Sequence, residues 1–481
     1  MNLQSLLDLL RPHGQVVSAP SADPVIGGLA VDSREVTPGA VFFAYPGVST
    51  DGHDFIAQAV ARGAGAVVAE RPVSTTVPVV LVKDARTVAE LAAIAWYHEP
   101  MRHLRIVGVT GTNGKTTTTA MVRHLLSTGQ DAGSIGTIGA YDGAGERVPS
   151  IAGQLTTPGP VDLQRTFRGM VDRGVKWVAM EASSHALDQH RLDRVPFAGA
   201  VFTNLTREHL DYHPSMEAYR AAKLRLAELV SGSGVLAINA DDPAWAPLVD
   251  DPRAITWGTA AEAALRIADV VTLTASSSFT VSGRFGDAEV TIPQPGEWNV
   301  ANAAAAMALC LGLGAPLEEL VAKLRHSPQV PGRMELLASA PFHVFRDYAH
   351  TPDAVERLLG ALRSITPGRV ILVFGCGGNR DRGKRAIMGE IAAAGADHVI
   401  LTSDNPRSED PERIMDDIAE RMPASSYQRE VDRHVAIGIA LGMARPGDTV
   451  ILMGKGHETY QHVGDVKEPF DEKAIVAGLM G

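Results

Sequence analysis

The segment Gly108-Val109-Thr110-Gly111-Thr112-Asn113-Gly114-Lys115-Thr116-Thr117 sets glycines, a lysine and hydroxyls in the order a phosphate cradle needs. The apolar run Leu104-Arg105-Ile106-Val107 before it reads as a strand, and Thr118 to Leu126 after it as a helix. In that context backbone N–H groups and the helix N-terminus face an anion. Lys115 reaches the terminal phosphates, and the Thr116 hydroxyl can hold Mg²⁺. The glycine spacing departs from the common P-loop, because Val109 stands five positions before Gly114. The Gly-Lys-Thr end is intact, and a plain Gly-rich turn would not need a lysine where the anion sits. Nucleotide binding follows from motif and context together.

Other polar residues sit where apolar runs end. Glu181 closes Trp177-Val178-Ala179-Met180 and precedes Ala182-Ser183-Ser184-His185. A carboxylate beside the loop suits Mg²⁺, which prefers oxygen ligands. Taken alone, Glu181 reads better as a surface residue at a strand end. His209 follows Ala200-Val201-Phe202-Thr203-Asn204 within a polar cluster that runs to His213. Lys223 lies in a helix-like stretch, where spacing alone makes it a solvated charge. Gly375 to Arg385 combines glycines with Arg380, Arg382, Lys384 and Arg385, either a solvated basic loop or an anion site. Ser403-Asp404-Asn405-Pro406-Arg407 offers an ammonium acceptor, an amide and a carboxylate fork, a set that matches an amino-acid head group; Asn-Pro is also a common turn. Gly454-Lys455-Gly456-His457-Glu458 adds Glu458 as a second ammonium acceptor.

The elements that must hold these residues alternate between strand and helix. At 481 residues the chain exceeds one ordinary core. Residues 1–101 read as a small α/β domain and residues 102–331 as a P-loop domain with a mostly parallel sheet. A Thr/Val/Ser-rich patch from Arg266 to Ile292 reads as antiparallel. Pro328-Gln329-Val330-Pro331-Gly332 reads as a linker. Residues 332–481 restart the pattern as a doubly wound, Rossmann-like α/β domain, whose functional residues gather at strand carboxyl ends. The net charge of −11 argues against a nucleic-acid partner. Two distant cysteines, Cys310 and Cys376, give no disulfide framework and fit a reducing compartment. The N-terminus has no basic region or cleavage site of a signal peptide, and no apolar run of about 18 residues exists to span a membrane. A cytoplasmic enzyme is expected.

The motifs in this order resemble the Mur ligase family of peptidoglycan synthesis, over essentially the whole chain. The resemblance is carried by Asp32-Ser33-Arg34, Asp51-Gly52-His53, Thr110 to Thr116, Thr156-Thr157-Pro158 and Glu181 to His185. Asp347-Tyr348-Ala349-His350-Thr351-Pro352, Asp404 to Arg407 and Gly454 to Glu458 complete it. It is closest to the branch that adds the third residue of the stem peptide to UDP-N-acetylmuramoyl-L-alanyl-D-glutamate (UDP-MurNAc-L-Ala-D-Glu). The resemblance implies three domains that bind the UDP end of the substrate, ATP, and the incoming amino acid. It places Val31, Ser33, Val48, Ser49 and Thr50 at the uridine part. Thr156, Thr157, Ser183, Gln189 and Arg191 would hold the muramoyl-dipeptide. Gly111, Thr112, Asn113, Gly114, Lys115, Thr116, Thr117, Asn302 and Arg333 would bind ATP. Lys223 matches a lysine that the family carbamylates, so that it binds Mg²⁺ with Thr116, Glu181 and His209. His209 is also a candidate base for the incoming amine, in competition with its metal role. Arg380, Asp404, Asn405, Pro406, Arg407, Gly454 and Glu458 would bind the amino acid. Arg407 points to meso-2,6-diaminopimelate, whose second carboxylate L-lysine lacks. Asn379 departs from the Asp of many relatives. The expected chemistry is ATP-driven amide formation through an acyl phosphate, by a monomer. A lysine-adding ligase and a folylpolyglutamate synthetase-like ligase are the alternatives.

Overall fold

The computed structural model describes residues 1–47, 50–149 and 155–481; the expected uridine contacts Val48 and Ser49 lie outside the described residues. The fold is α/β, with a small N-terminal sheet, a central mostly parallel sheet and a C-terminal Rossmann-like sheet. Two compact units result. One is Met1–Lys115 with Leu126–Ile238 and Asp242–Ala254; the other is Thr116–Leu125 with Asn239–Asp241 and Ile255–Gly481.

In the first unit, α1 (Leu3–Leu10) buries Leu3, Leu6, Leu7 and Leu10, the 3–4 spacing of one helix face. Its Asn2 cap accepts from the Ser5 N–H at 3.0 Å. Strands β1 (Val16–Ser18), β2 (Gly28–Ala30), β3 (Ala40–Ala44), β4 (Ala66–Ala69) and β5 (Val79–Val82) run in the order β1-β5-β4-β3-β2. Only β1 pairs antiparallel. All of β3 and β4 is buried, as expected of parallel strands covered on both faces by α2 (Ile56–Ala61) and α3 (Ala85–Trp96).

The chain then enters β6 (Arg105–Thr110), which feeds the Gly-rich loop and α4 (Lys115–Leu126). There follow β7 (Ala132–Gly136), β8 (Gly139–Tyr141), α5 (Pro160–Val171), β9 (Trp177–Glu181), α6 (Ser184–Asp188), β10 (Phe197–Phe202), α7 (Met216–Leu229), β11 (Val230–Asn239) and α8 (Ala246–Val249). Their order is β11-β10-β6-β9-β7-β8, parallel except for the β7–β8 hairpin. β6 lies between β9 and β10, so the loop after β6 opens beside the carboxyl ends of both neighbours, where Glu181 and Thr203 stand.

In the second unit, β12 (Ala254–Gly258) pairs parallel with β13 (Leu265–Leu273). β14 (Ser276–Gly283) and β15 (Ala288–Ile292) then complete an antiparallel ladder. α9 (Glu297–Gly312) is apolar nearly all round and buried, and α10 (Leu317–Leu324) follows it. The last sheet is built from β16 (Glu335–Ala338), β17 (His343–Asp347), β18 (Val370–Phe374), β19 (His398–Leu401), β20 (Tyr427–Arg429) and β21 (Thr449–Met453), in the order β16-β17-β21-β18-β19-β20. Only β16 is antiparallel. Helices α11 (Pro352–Ile365), α12 (Gly383–Gly395), α13 (Pro411–Ala419), α14 (Arg433–Met443) and α15 (Glu472–Met480) accompany it, with a hairpin of β22 (Tyr460–Val463) and β23 (Val466–Pro469).

One buried ion pair sets the geometry at the carboxyl ends of this sheet. Arg433 and Glu472 are both fully buried, with Nη2 2.7 Å from Glu472 Oε1. The same guanidinium donates to Met453 O at 3.0 Å and reaches Ser403 O at 3.5 Å, tying the end of β21 to the residue before Asp404. Removing one partner of a buried pair leaves an uncompensated charge. Glu472→Ala is expected to destabilise the protein by about 3–5 kcal/mol, read as a fall in the denaturation midpoint. A change under 1 kcal/mol, roughly the worth of a solvent-screened pair, would show that the pair is dispensable.

Candidate active site

The Gly-rich loop is held by the loop after β10. Thr112 N–H donates to Asn204 O (2.7 Å), Asn113 N–H to Asn204 Oδ1 (2.9 Å), and Thr203 Oγ1 to Asn113 O (2.7 Å). Gly111 has φ +144°, and a methyl group there would overlap Thr203 Oγ1. Two amines meet on its carbonyl: Lys115 Nζ donates to Gly111 O at 3.0 Å, and Lys223 Nζ to the same oxygen at 2.6 Å. Lys115 also donates to Thr112 O at 2.7 Å. Gly114 has φ +82°, a backbone that favours glycine. Thr116 and Thr117 follow in the first turn of α4, both buried.

The solvated-charge reading of Lys223 fails. Its side chain is about 1 % exposed, and the ammonium form is disfavoured first by burial and then by the Lys115 charge. The Tyr219 ring, one helical turn earlier on α7, lies 4.4 Å from Nζ. Sequence spacing gave no sign of this, because the α7 face that Lys223 occupies is covered by the P-loop rather than by water.

Around this point sits a group of rings that spacing also did not reveal. His185 lies 4.8 Å from His209 and 4.2 Å from Tyr212, and His213 lies 5.1 Å from Tyr219, between centroids. Burial, then the Lys115 and Lys223 charges, push His209 down to about 4; burial, then His209, does the same to His185. Both imidazoles are neutral at neutral pH, the form that ligates metals. Glu181 is buried and accepts from Thr137 N–H (2.9 Å) and Oγ1 (3.1 Å), which rules out the surface reading. Among the described residues no three His, Cys, Asp or Glu side chains come together as a metal site.

The expected muramoyl-dipeptide residues gather nearby. Thr156 Oγ1 lies 3.2 Å from Thr137 Oγ1, and Thr157 Oγ1 lies 2.8 Å from Glu181 O and 3.1 Å from Ser183 Oγ. Arg191 donates to Thr157 O (3.1 Å) and to Gln189 Oε1 (3.0 Å). Gln189 and Arg191 also line a cavity of about 720 Å³ with Pro46, Gly47, Arg86 and Tyr212. Of the expected uridine residues, Ser33 is buried and bonded to Gln58 (2.7 Å), Val31 is half-buried, and Thr50 O accepts from Gly47 N–H at 2.8 Å. His53 is structural: Asp51 holds one ring nitrogen (2.6 Å) and Glu70 N–H the other (3.2 Å).

In the second unit, the carboxyl ends of β18, β19 and β21 bring the expected amino-acid residues together. Asp404 Oδ2 would lie 2.7 Å from a methyl group at Gly454. Asn405 Nδ2 donates to Glu458 Oε2 at 2.7 Å, while Asn405 Oδ1 accepts from Lys455 Nζ at 3.1 Å. Lys455 is fully buried, and burial pulls its pKa down. Its sequence motif was visible, but not its role as the partner that orients Asn405. Pro406 is buried, and Arg407 Nη1 donates to Gly378 O at 2.6 Å. The Arg407 backbone, at φ +54°, is pinned on both sides by His462 O (2.9 Å) and Gly464 N–H (2.8 Å). Asn379 also adopts positive φ (+53°), which Asn tolerates, and its Oδ1 accepts from Ser408 Oγ at 2.9 Å. The solvated-loop reading of Gly375 to Arg385 holds for Arg380, which is exposed, and fails for Arg385. That guanidinium is buried and paired with Glu409 (3.0 Å) and Asp417 (2.8 Å). Arg333 stacks over Tyr348 at 4.9 Å. Asn302 is buried on α9 and bonded to Thr118 Oγ1 (3.2 Å) and Asn299 (3.3 Å).

Family models match most of the chain. They are described as Mur ligase family, catalytic domain (residues 25–104), Mur ligase middle domain (109–310) and Mur ligase, glutamate ligase domain (332–456). The UDP-N-acetylmuramoyl-L-alanyl-D-glutamate--2,6-diaminopimelate ligase of Geobacillus kaustophilus is 43% identical over 94% of this chain and 94% of its own. A solved structure carrying the same ligase name is 34% identical, with a TM-score of 0.66 over 95% of this chain and 94% of that one. A folylpolyglutamate synthase of Mycobacterium tuberculosis, complexed with ADP and AMPPCP, is 18% identical with a TM-score of 0.61 over 76% of this chain and 91% of that one, a likeness of fold alone.

Two outcomes follow from the geometry. Gly111→Ala is expected to abolish detectable nucleotide binding by calorimetry while the far-UV circular dichroism persists; wild-type affinity would show that the loop has room to shift. Glu90, buried on α3 with Arg194 3.4 Å away, is raised by burial to about 7. The unfolded chain ionises it near 4.3, so the stability that its protonated form contributes is lost as pH rises from there through about 7. Glu90→Gln is expected to flatten the decline in melting temperature between those pH values, and an unaltered pH slope would refute it.

Proposed function

The chain belongs to the Mur ligase family, and on that footing we propose that it is the ATP-dependent ligase that joins meso-2,6-diaminopimelate to UDP-MurNAc-L-Ala-D-Glu in peptidoglycan precursor synthesis. The observation that carries the chemistry is the convergence of Lys115 and Lys223 on Gly111 O. Lys115 then answers the phosphates of ATP. Lys223, a buried amine that favours its neutral form, is a nucleophile for CO₂; the N–C bond forms, one N–H proton is released to solvent, and the product is a carbamate anion. That modification supplies an oxygen donor where, among the described residues, the unmodified side chains provide no three-residue metal site.

The residues fit Mg²⁺, which binds through one or two carboxylates and substrate phosphates rather than a full protein cage. Glu181, neutral His209 and carbamylated Lys223 would hold it. When bound it neutralises phosphate charge. The D-Glu side-chain carboxylate attacks the γ-phosphorus of ATP, releasing ADP and forming an acyl phosphate. The diaminopimelate amine attacks that carbonyl, a tetrahedral adduct forms, and as the nitrogen gives up a proton the C–O bond breaks and phosphate leaves. Positioning supplies most of the rate, so each residue's task is to hold a reacting group in place.

In this reading residues 1–101 take the uridine end, 102–331 take ATP and 332–481 take the amino acid. Asp404 and Glu458 accept from the ammonium, and Arg407 grips a carboxylate of meso-diaminopimelate. Its pinned backbone and its bond to Gly378 O hold the guanidinium ready. The enzyme works as a cytoplasmic monomer; among the described residues no helix is long and apolar enough to cross a membrane.

The test is ATP-dependent phosphate release with UDP-MurNAc-L-Ala-D-Glu, offering meso-diaminopimelate and L-lysine in parallel with product mass recorded. A tripeptide from diaminopimelate alone is expected. Product from lysine alone would overturn the amino-acid assignment, and no product from either would move the reading to a folate-type ligase. Arg407→Ala should lower kcat/KM for diaminopimelate by about 10- to 100-fold, the worth of a charged hydrogen bond, and narrow its lead over lysine. An unaltered lead would remove Arg407 from the specificity argument.

A further inference from the structure

The cavity of the first unit is lined by three arginines, Arg86, Arg191 and Arg194, and three acids, Asp84, Glu90 and Asp193. Its acids are engaged: Asp84 caps α3 by accepting from Arg86 N–H and Thr87 N–H (both 3.0 Å), Glu90 faces Arg194 at 3.4 Å, and Asp193 lies 2.8 Å from Arg225. Arg86 and Arg191, on the same wall, have only neutral partners among the described residues. Arg86 donates to Pro46 O (3.2 Å) and Gln189 O (3.4 Å), and its guanidinium lies 5.0 Å from the Tyr45 ring centroid. Arg191 donates to Thr157 O and Gln189 Oε1. The two charges feel each other, since Arg191 is pulled down first by burial and next by Arg86. The first-turn amides of α3 are already occupied by Asp84, so an anion here would be met by side chains rather than by the helix terminus.

The covalent order of the nucleotide sugar then places Arg86. This inference rests on the function proposed above. Pro46 stands at the base of the loop expected to hold the uridine part, and Gln189 belongs to the set expected to hold the muramoyl-dipeptide. Between uridine and muramic acid lies the diphosphate. Arg86 bonds to the backbone of both flanking segments and lines the 720 Å³ cavity between them; its guanidinium makes no direct ion pair among the described residues and feels the Asp84 carboxylate only through space. A planar fork of donors matches phosphate oxygens. We propose that Arg86 binds the diphosphate of the nucleotide-sugar substrate, with Arg191 as its neighbour toward the muramoyl end.

The test compares UDP with uridine. Binding of each is measured by calorimetry with a non-hydrolysable ATP analogue present to occupy the P-loop. The proteins are wild type, Arg86→Gln, which keeps an amide donor but loses the charge, and Arg86→Lys. Wild type is expected to prefer UDP. Arg86→Gln should weaken UDP by about 10- to 100-fold and uridine by less than about twofold, the scatter of a mere contact change. Arg86→Lys should fall between, because a point charge replaces a fork. In turnover the loss should appear in KM for the nucleotide sugar and not in KM for ATP. Equal losses for UDP and uridine, which a purely structural role produces, would overturn the proposal, as would an unchanged UDP affinity. Failure of the ligase reading shows separately, as a wild-type protein that makes no tripeptide while the UDP-to-uridine comparison still stands.

Discussion

The first unit depends on one backbone carbonyl. Gly111 O accepts from two lysine amines, and both must be brought to it by different elements: Lys115 by the start of α4 and Lys223 by α7. Two ammonium groups on one oxygen in a buried place are electrostatically costly. The cost falls on Lys223, the more deeply buried of the two, which is driven toward its neutral form. A neutral amine is what the proposed carbamylation needs, so the crowding that looks unfavourable for a lysine favours that reaction.

The same economy appears in the second unit. Arg433 and Glu472 take no part in chemistry, yet their buried pair joins the end of β21 to the residue before Asp404. Lys455 and Glu458 then orient Asn405 from opposite sides. The polar ends of the strands are tied together because charged groups beneath them are paired, and strand ends in a doubly wound sheet are where such groups can be held without disturbing the apolar interior.

Particular residues show what was legible in the chain. The Gly111–Thr116 motif could be placed on a strand–loop–helix because glycine, lysine and apolar periodicity are local signals. The Asp404–Arg407 and Gly454–Glu458 motifs were visible for the same reason, each following an apolar run. Lys223 was not legible from spacing: a lysine in a helix reads as solvated until the element covering it is known. Arg385 misled in the same way, since a basic loop hides which of its cations faces inward. Arg86 gave no signal at all, because its partners Pro46 and Gln189 lie on remote segments.

By itself the sequence determined the α/β character, the phosphate cradle and the family resemblance, because these rest on residue type and short-range order. Only the tertiary structure decided which charges are buried, which imidazoles are neutral and which cations lack an acid. Those properties are set by what packs against a side chain, and the packing partners come from segments tens to hundreds of residues away.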